Sequence, residues 1–110
     1  MINVKVLKKD NNIVFIETKG HAEYDEYWKD IVCSAVSALC TATLNGIIEV
    51  LHIEPGYSIQ EDGFLSINLE KLTLDEITAC QVLMKTLLLG LQNIEISYSE
   101  YINIKVEEVQ

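Results

Sequence analysis

The chain has 110 residues, of which 49% are apolar and one is proline, so it is long enough for one domain with a modest core and has the composition of a compact globule. Seventeen acidic residues against eight basic ones give a net charge of −9. This charge disfavours binding to nucleic acid, because such binding depends on lysine and arginine neutralising phosphates. It favours a basic protein or peptide as the partner, or simply keeps the protein soluble.

Membrane and secretion signals are not expected in this sequence. No apolar run follows the start, and no stretch approaches the roughly 18 apolar residues of a membrane span. The longest candidate, residues 83–91, is interrupted by Lys85, Thr86 and Gly90. The chain has three cysteines, Cys33, Cys40 and Cys80. Because their number is odd and their spacing is not paired, they do not indicate a disulfide framework, which fits a reducing compartment. We therefore expect a cytoplasmic protein.

The first half of the chain predicts a β-hairpin followed by a long helix. Ile2, Val4 and Val6 alternate with polar residues as in a half-buried strand, residues 10–12 make a turn, and residues 13–18 form a second strand. After a loop over residues 19–29, a helix over about residues 31–51 is apolar nearly all round. Such a helix is buried on most of its sides.

The second half predicts another hairpin, a second helix and a final strand. Residues 57–60 pair with residues 64–69 across a turn that contains Asp62 and Gly63. Thr73 and Glu76 form a capping-box pattern, after which apolar residues follow at helical spacing to about residue 98. The last strand covers residues 102–109.

These elements follow one another in the order β-β-α-β-β-α-β. Two helices packed on one face of a mainly antiparallel sheet are the simplest two-layer solution for that order. The sequence thus predicts an α+β fold and a single domain over residues 1–110.

A histidine and a cysteine flank the predicted loop in a pattern typical of a cysteine hydrolase. His21 follows the second strand, and Cys33 falls in the first turn of the helix if Asp30 is its N-cap. There the helix dipole and a nearby imidazolium favour a thiolate, and free N–H groups of the first turn can donate to an oxyanion. A lone cysteine at the start of an apolar helix is, however, more often a packing residue.

Other chemistries have little support in the sequence. His21, His52 and the three cysteines contain no closely spaced pair of metal ligands, and Cys40 and Cys80 are better explained as core residues. A phosphate-binding glycine loop is not apparent. We expect neither a metal nor a cofactor.

Residues 20–39 carry a specific resemblance. Gly-His-Ala, an acidic and aromatic loop, and then Asp-Ile-Val-Cys-Ser-Ala-Val-Ser-Ala-Leu resemble the bacterial ribosomal-processing cysteine protease family, and length and element order agree over nearly the whole chain. The resemblance implies that His21 is the base and Cys33 the nucleophile. Gly20, Asp30 and Ser37 match the remaining positions of the motif. Asp30 either orients His21 or only caps the helix, and the cap is the preferred role.

The same resemblance implies a function. Members of the family remove a short N-terminal extension from a protein of the large ribosomal subunit, so the expected partner is the N-terminal segment of a ribosomal protein, and the expected assembly is a homodimer. The alternative is a non-catalytic peptide-binding module of ribosome assembly, in which Cys33 is merely buried.

Aromatic residues in the predicted loop are candidates for substrate binding. Tyr24, Tyr27 and Trp28 are expected to contact hydrophobic or aromatic residues next to the cut, which the family prefers, and Ser34 is placed with them. Trp28 stands where family members usually have glycine. It acts either as a lid over the cleft or as an anchor that fixes the loop.

Overall fold

The computed structural model describes residues 1–20, 26–61 and 63–110, and for residues 26–30 it describes the backbone alone. In chain order the elements are β1 (Ile2–Lys9), β2 (Asn12–Lys19), α1 (Glu26–Asn45), a π-helical turn (Gly46–Val50), β3 (Gly56–Gln60), β4 (Phe64–Asn68), α2 (Leu74–Ala79), α3 (Gln81–Ser97) and β5 (Ile102–Glu108). The predicted order is confirmed, with an earlier start for α1 and with α2 and α3 in place of one second helix.

Five strands form one sheet in the order β3-β4-β2-β1-β5. Among the strands of the described residues, only β1 and β5 pair in parallel, so the prediction of a mainly antiparallel α+β fold is confirmed. Ile2, Val4 and Val6 of β1 are buried. The intervening Asn3 and Lys5 are exposed, as expected when alternate residues face opposite sides of a sheet. The buried strand residues form one core cluster with residues of α1 and α3, so these helices cover that face.

The β1–β2 hairpin turns on two residues in the left-handed region of backbone space. Asp10 and Asn11 have φ values of 52° and 68°, which is the pattern of a type I′ turn. Aspartate and asparagine tolerate this region better than other residues that carry a Cβ. The predicted turn is confirmed, although Asn12 already belongs to β2.

The second hairpin and the last strand are also where the sequence places them. β3 pairs with β4 in antiparallel fashion, and β5 follows α3 and pairs with β1. Gly63 has φ 73°, a value that favours glycine in the turn. Asp62, the other predicted turn residue, lies outside the described residues.

The first helix begins five residues earlier than predicted. α1 starts at Glu26 rather than residue 31, so the assignment of Asp30 as the N-cap is wrong. Residues 26–30 contain neither glycine nor proline, and nothing in them stops the helix from extending toward its N-terminus. Tyr27 and Trp28 therefore have helical backbone, and Cys33 lies about two turns inside the helix.

The helical stretch Ile31–Val50 is long and apolar enough to cross a membrane by length and composition alone, with a mean hydropathy of 1.8 over its window. The prediction that no stretch approaches this length is therefore wrong. Serine, threonine and alanine interrupt the larger apolar residues without adding charge, and Glu49 is the one charged residue of the stretch. Val36, Cys40 and Leu44 belong to the buried core cluster, but 33% of the window is buried. The helix therefore packs one side against the core, and the prediction that it is buried on most of its sides is wrong.

The second predicted helix is capped as expected but consists of two helices. The Thr73 Oγ1 accepts a hydrogen bond from the Glu76 N–H, and the Glu76 carboxylate accepts one from the Thr73 N–H, so the capping box is confirmed. At the junction, the Ile77 carbonyl accepts from the Cys80 N–H at 3.2 Å and from the Gln81 Nε2 at 3.0 Å. The Cys80 N–H also donates to the Glu76 carbonyl at 3.1 Å, so it is shared between the carbonyls three and four residues earlier, as is common at a helix end.

Gln81 also joins α3 to the sheet at an irregularity of the first hairpin. The β1–β2 register shifts between Leu7 and Lys8, next to the pairing of Lys8 with Ile13. The Gln81 Oε1 accepts from the Ile13 N–H at 2.7 Å, and its Nε2 donates to the Ile13 carbonyl at 2.9 Å. The side chain thus satisfies both backbone groups of a fully buried residue, as an additional strand would.

We expect Gln81→Leu to lower the free energy of unfolding by about 3 kcal/mol, because it leaves a buried N–H and a buried carbonyl without partners, each at a cost of about 1–3 kcal/mol. Urea unfolding followed by circular dichroism measures the change. Gln92→Leu, a replacement of a partly buried glutamine on the same helix, is the control and should change the stability by less than about 1 kcal/mol. Equal effects of the two variants would contradict the role of Gln81.

Candidate active site

A groove lies between one side of α1 and the end of the sheet that is formed by β2, β4 and β3. Its wall on α1 contains Cys33, Ser37 and Thr41, which follow one another at four-residue spacing and so share one side of the helix. The rest of its lining consists of Ile2, Thr18, Gly20, Val36, Ile59, Gln60, Glu61, Gly63, Phe64 and Leu65. The groove encloses about 190 Å³ and is open to solvent. It can therefore accept side chains of an extended peptide at a cysteine.

Cys33 differs from the other two cysteines in its surroundings. Cys40 and Cys80 are fully buried, whereas Cys33 is partly exposed and lines the groove. Burial raises the pKa of Cys40 to about 12, although a hydrogen bond with Thr18 acts in the opposite direction. Burial, and secondly the charge of Glu76, raise the pKa of Cys80. The assignment of Cys40 and Cys80 to the core is confirmed, and Cys33 is the thiol that a substrate can reach.

Gly20 has a backbone role that explains why glycine is needed at this position. Its φ is +100°, in the region that side chains with a Cβ rarely adopt, and a Cβ there would lie 2.5 Å from the Met1 carbonyl oxygen. Any larger residue would thus displace the start of β1 or the end of β2. Gly20 also lines the groove, and His21 follows it directly in the sequence. His21 itself lies outside the described residues.

The remaining predicted site residues are distributed as follows. Ser37 is exposed and lines the groove one turn from Cys33, whereas Ser34 is exposed but is not part of the lining. Asp30, Tyr27 and Trp28 have helical backbone in α1, and their side chains are not described. Tyr24, like His21, lies outside the described residues.

The early start of α1 changes the prediction for the oxyanion. In a helix that begins at Glu26, the unpaired N–H groups belong to about the first four residues, and the N–H of Cys33 bonds to the carbonyl four residues earlier. The prediction that Cys33 lies beside free first-turn N–H groups, which would donate hydrogen bonds to the oxyanion, is therefore wrong. The favourable end of the helix dipole also lies about two turns from the thiol.

The sequence did not identify the β3–β4 hairpin as part of the site. Ile59, Phe64 and Leu65 contribute apolar lining, and Glu61 contributes a carboxylate near the hairpin turn. Their alternation predicts strands, but it does not tell which side of α1 they approach. Thr41 could have been found from its spacing to Cys33 and Ser37. Within the described part of the chain, no group of three or more histidine, cysteine or acidic residues could hold a metal ion.

Comparison with known proteins defines the class. The profile of the family described as cysteine protease Prp matches residues 1–103. The ribosomal processing cysteine protease Prp of Bacillus subtilis is 30% identical over 97 residues, which are 86% of this chain and 87% of the relative. The protein of the same name from Staphylococcus aureus is 31% identical over 106 residues, which are 94% of this chain and 97% of the relative. The chain is a cysteine protease and belongs to the Prp family.

Solved structures agree with this assignment over the full fold. The Staphylococcus aureus Prp in complex with a substrate peptide superposes with a TM-score of 0.84 at 28% identity, covering 97% of this chain and all of that one. Its complex with a covalently linked product peptide gives a TM-score of 0.83 at 30% identity, with 97% of this chain and all of that one covered. A Streptococcus mutans protein, SMU.848, gives 0.88 at 26% identity, with 99% of each chain covered.

We expect iodoacetamide at pH 7.5 to modify the folded protein once per chain, at Cys33. Cys40 and Cys80 are shielded by burial, and their raised pKa values keep both thiols protonated. Intact-mass analysis and peptide mapping measure the sites and rates. Cys33→Ser should abolish labelling of the folded protein, and unfolding in urea should expose all three thiols of the wild type. Labelling of Cys40 in the folded state as fast as that of Cys33 would contradict this assignment.

Proposed function

We propose that the chain is an endopeptidase that removes a short N-terminal extension from a protein of the large ribosomal subunit, with residues 1–110 as a single catalytic domain. The observation that carries the proposal is the accessible Cys33 thiol on the wall of an open groove, while the other two thiols are buried. Membership of the family and the names of the relatives, which describe ribosomal processing, support the substrate class. A relative with bound substrate and product peptides supports peptide cleavage.

The proposed reaction proceeds through a thioester. His21 takes the proton from the Cys33 thiol, and the sulfur forms a bond to the scissile carbonyl carbon. The carbon–nitrogen bond then breaks as His21 returns the proton to the leaving amine. Water, deprotonated by His21, attacks the thioester, and the acid product leaves as the Cys33 sulfur recovers a proton. The position of Gly20 at the groove, one residue before His21, supports this pairing.

The other motif residues are assigned supporting roles. Ser37 lies on the same wall as Cys33, and we assign it a structural role through a hydrogen bond to the loop or to its own helix. Asp30 is assigned to orientation of His21, because its location inside α1 removes the alternative of a helix cap. The proposed contacts with substrate residues next to the cut are made by Tyr24, Tyr27, Trp28 and Ser34.

Charge and compartment fit this substrate. Ribosomal proteins are generally basic, and a net charge of −9 attracts a basic polypeptide and repels RNA. We assign the protein to the cytoplasm, where ribosomal proteins are made and where three free cysteines remain reduced. We assign neither a metal nor another cofactor to the reaction, because thiol chemistry needs only the base and the nucleophile.

The decisive experiment is intact-mass analysis of a precursor ribosomal protein after incubation with this protein. A single cut near the precursor's N-terminus is expected, lost with Cys33→Ala and slowed about 100-fold or more with His21→Ala. The chain has two histidines, so His52→Asn is the matched control. Asparagine tolerates the positive φ of 57° at residue 52, and this exposed residue should be replaceable without loss of activity. Absence of any cut, or undiminished cleavage by Cys33→Ala, would refute the proposed function.

A homodimer is the proposed assembly, and α3 carries a surface suited to it. Val82, Leu89 and Ile96 are 77%, 63% and 80% exposed and follow one another at seven-residue spacing. Residues seven apart lie on one side of a helix, so these three form an exposed apolar row that a second copy of the chain can cover. We expect light scattering after gel filtration to give twice the chain mass. Leu89→Asp should give a monomer and Val50→Asp, on the π-helical turn, should not; a monomeric wild type would refute the dimer.

A further inference from the structure

Glu61 is the only residue with a carboxylate or a basic group among the described residues that line the groove containing Cys33. It is exposed and follows Gln60, the last residue of β3. The remaining described lining residues are apolar, or polar without a carboxylate or a basic group. The described lining therefore supplies no lysine or arginine to pair with this carboxylate.

The register of the sheet fixes the position of Glu61 relative to the end of β2. Leu65 of β4 pairs with Thr18 of β2 on one side and with Ile59 of β3 on the other. Two residues further toward the β3–β4 turn, the same register places Glu61 level with Gly20, and residues two apart on a strand face the same side. Neighbouring strands lie about 5 Å apart, so with β4 between them the backbones at Glu61 and Gly20 are about 10 Å apart.

A peptide that reaches the Cys33 thiol passes close to Glu61. Cys33 lies on the α1 wall of the groove, and Gly20, which precedes the proposed base, lines the groove where β2 ends. An extended chain covers about 3.3 Å per residue, so about three residues span the distance from Gly20 to Glu61. Gly63, which also lines the groove at this level, has no side chain to block that path. A substrate side chain within about three residues of the scissile bond can therefore reach Glu61.

From this geometry, and resting on the proposed function, we infer that Glu61 recognises a lysine or arginine side chain of the substrate near the scissile bond. A bound peptide that covers the carboxylate displaces part of its water, and an uncharged apolar side chain at that place leaves it without a hydrogen-bond partner. An ammonium or guanidinium group replaces the lost water with a charge-assisted hydrogen bond. Glu61 thus selects for a cation at one substrate position and against an anion there.

This recognition differs from the general attraction of the protein for basic polypeptides. The net charge of −9 acts over the whole surface and does not distinguish one residue of the substrate from its neighbours. A carboxylate at one end of the groove contacts one side chain of a bound peptide. We therefore expect the preference for a cation that depends on Glu61 to be confined to one position of the substrate.

The test compares variants that are matched in charge. Glu61→Gln keeps the shape of the side chain and removes its charge, and Glu61→Lys reverses the charge. Glu54→Gln is the control, because Glu54 is exposed just before β3 and does not line the groove, yet its replacement changes the net charge by the same amount. Asp62 lies outside the described residues, and Asp62→Asn shows whether this neighbouring carboxylate carries the preference instead.

The peptides are designed from the cleavage site itself. The site is first located in the precursor ribosomal protein with the wild-type enzyme. Synthetic peptides spanning it are then made with lysine, glutamine or glutamate at each position near the cut, and kcat/KM is measured for each. Binding of the same set of peptides, extended to cover the N-terminal segment of the precursor, is measured by fluorescence anisotropy in the Cys33→Ala background.

At one position near the cut, the wild type should prefer lysine to glutamine, and Glu61→Gln should reduce this preference about five-fold, the effect of a solvent-accessible ion pair. Glu61→Lys should prefer glutamate to lysine at the same position, which a misfolded variant would not show. Glu54→Gln and Asp62→Asn should retain the wild-type preference. The rate of Cys33 alkylation should be the same in wild type and Glu61→Gln, because the substitution leaves the thiol intact.

The outcomes separate this inference from the proposed function. Wild-type cleavage with the same preference in Glu61→Gln and Glu61→Lys would overturn the role of Glu61 while leaving the protease activity established. A loss of preference in Glu54→Gln or Asp62→Asn equal to that in Glu61→Gln would overturn it as well. Absence of cleavage by the wild type would refute the proposed function, and peptide binding in the Cys33→Ala background that Glu61→Gln leaves unchanged would then overturn this inference separately.

Discussion

The packing of α1 across the sheet is the constraint on which the rest of the structure depends. Val36, Cys40 and Leu44 bury one side of the helix against the core, and this fixes the rotation of the helix about its axis. Cys33 is on the same side of the helix as Cys40 but two turns nearer the N-terminus, and there that side lines the groove together with Ser37. The same burial keeps Cys40 protonated at neutral pH, with a pKa raised to about 12. One packing arrangement therefore makes one thiol inert and presents another to substrate.

The glycine of the motif illustrates how a catalytic signature includes residues that act through the backbone. Gly20 has a positive φ and stands so close to the Met1 carbonyl that a Cβ would collide with it. It fixes where the chain leaves β2 beside the groove, immediately before His21. The requirement for glycine is thus steric and conformational, whereas the proposed catalytic base is the residue that follows.

The two edge strands of the sheet, β5 and β3, differ in how they are protected from pairing with other chains. At β5 the Glu95 carboxylate accepts a hydrogen bond from the Ile104 N–H, so this N–H is not free to pair with another strand. At β3, Tyr57 and Ile59 remain exposed on the face that the core uses elsewhere. Exposed apolar residues on an edge strand are a liability for a soluble protein. Ile59 also lines the groove that contains Cys33, whereas Tyr57 does not.

The sequence by itself determined the order of the elements and the capping box at Thr73, and it predicts the pair of His21 and Cys33, because alternation, caps and motifs are local patterns. It placed the start of α1 wrongly, since Asp30 is an acceptable cap and an acceptable helical residue, and only the backbone decides between them. It also assigned Cys40 to the core and Cys33 to the site, although the two lie seven residues apart on one side of a helix and their difference in exposure is not a local pattern. Tertiary structure decided that difference and brought Ile59 into the site, because exposure and the approach of the β3–β4 hairpin to α1 depend on contacts between distant parts of the chain.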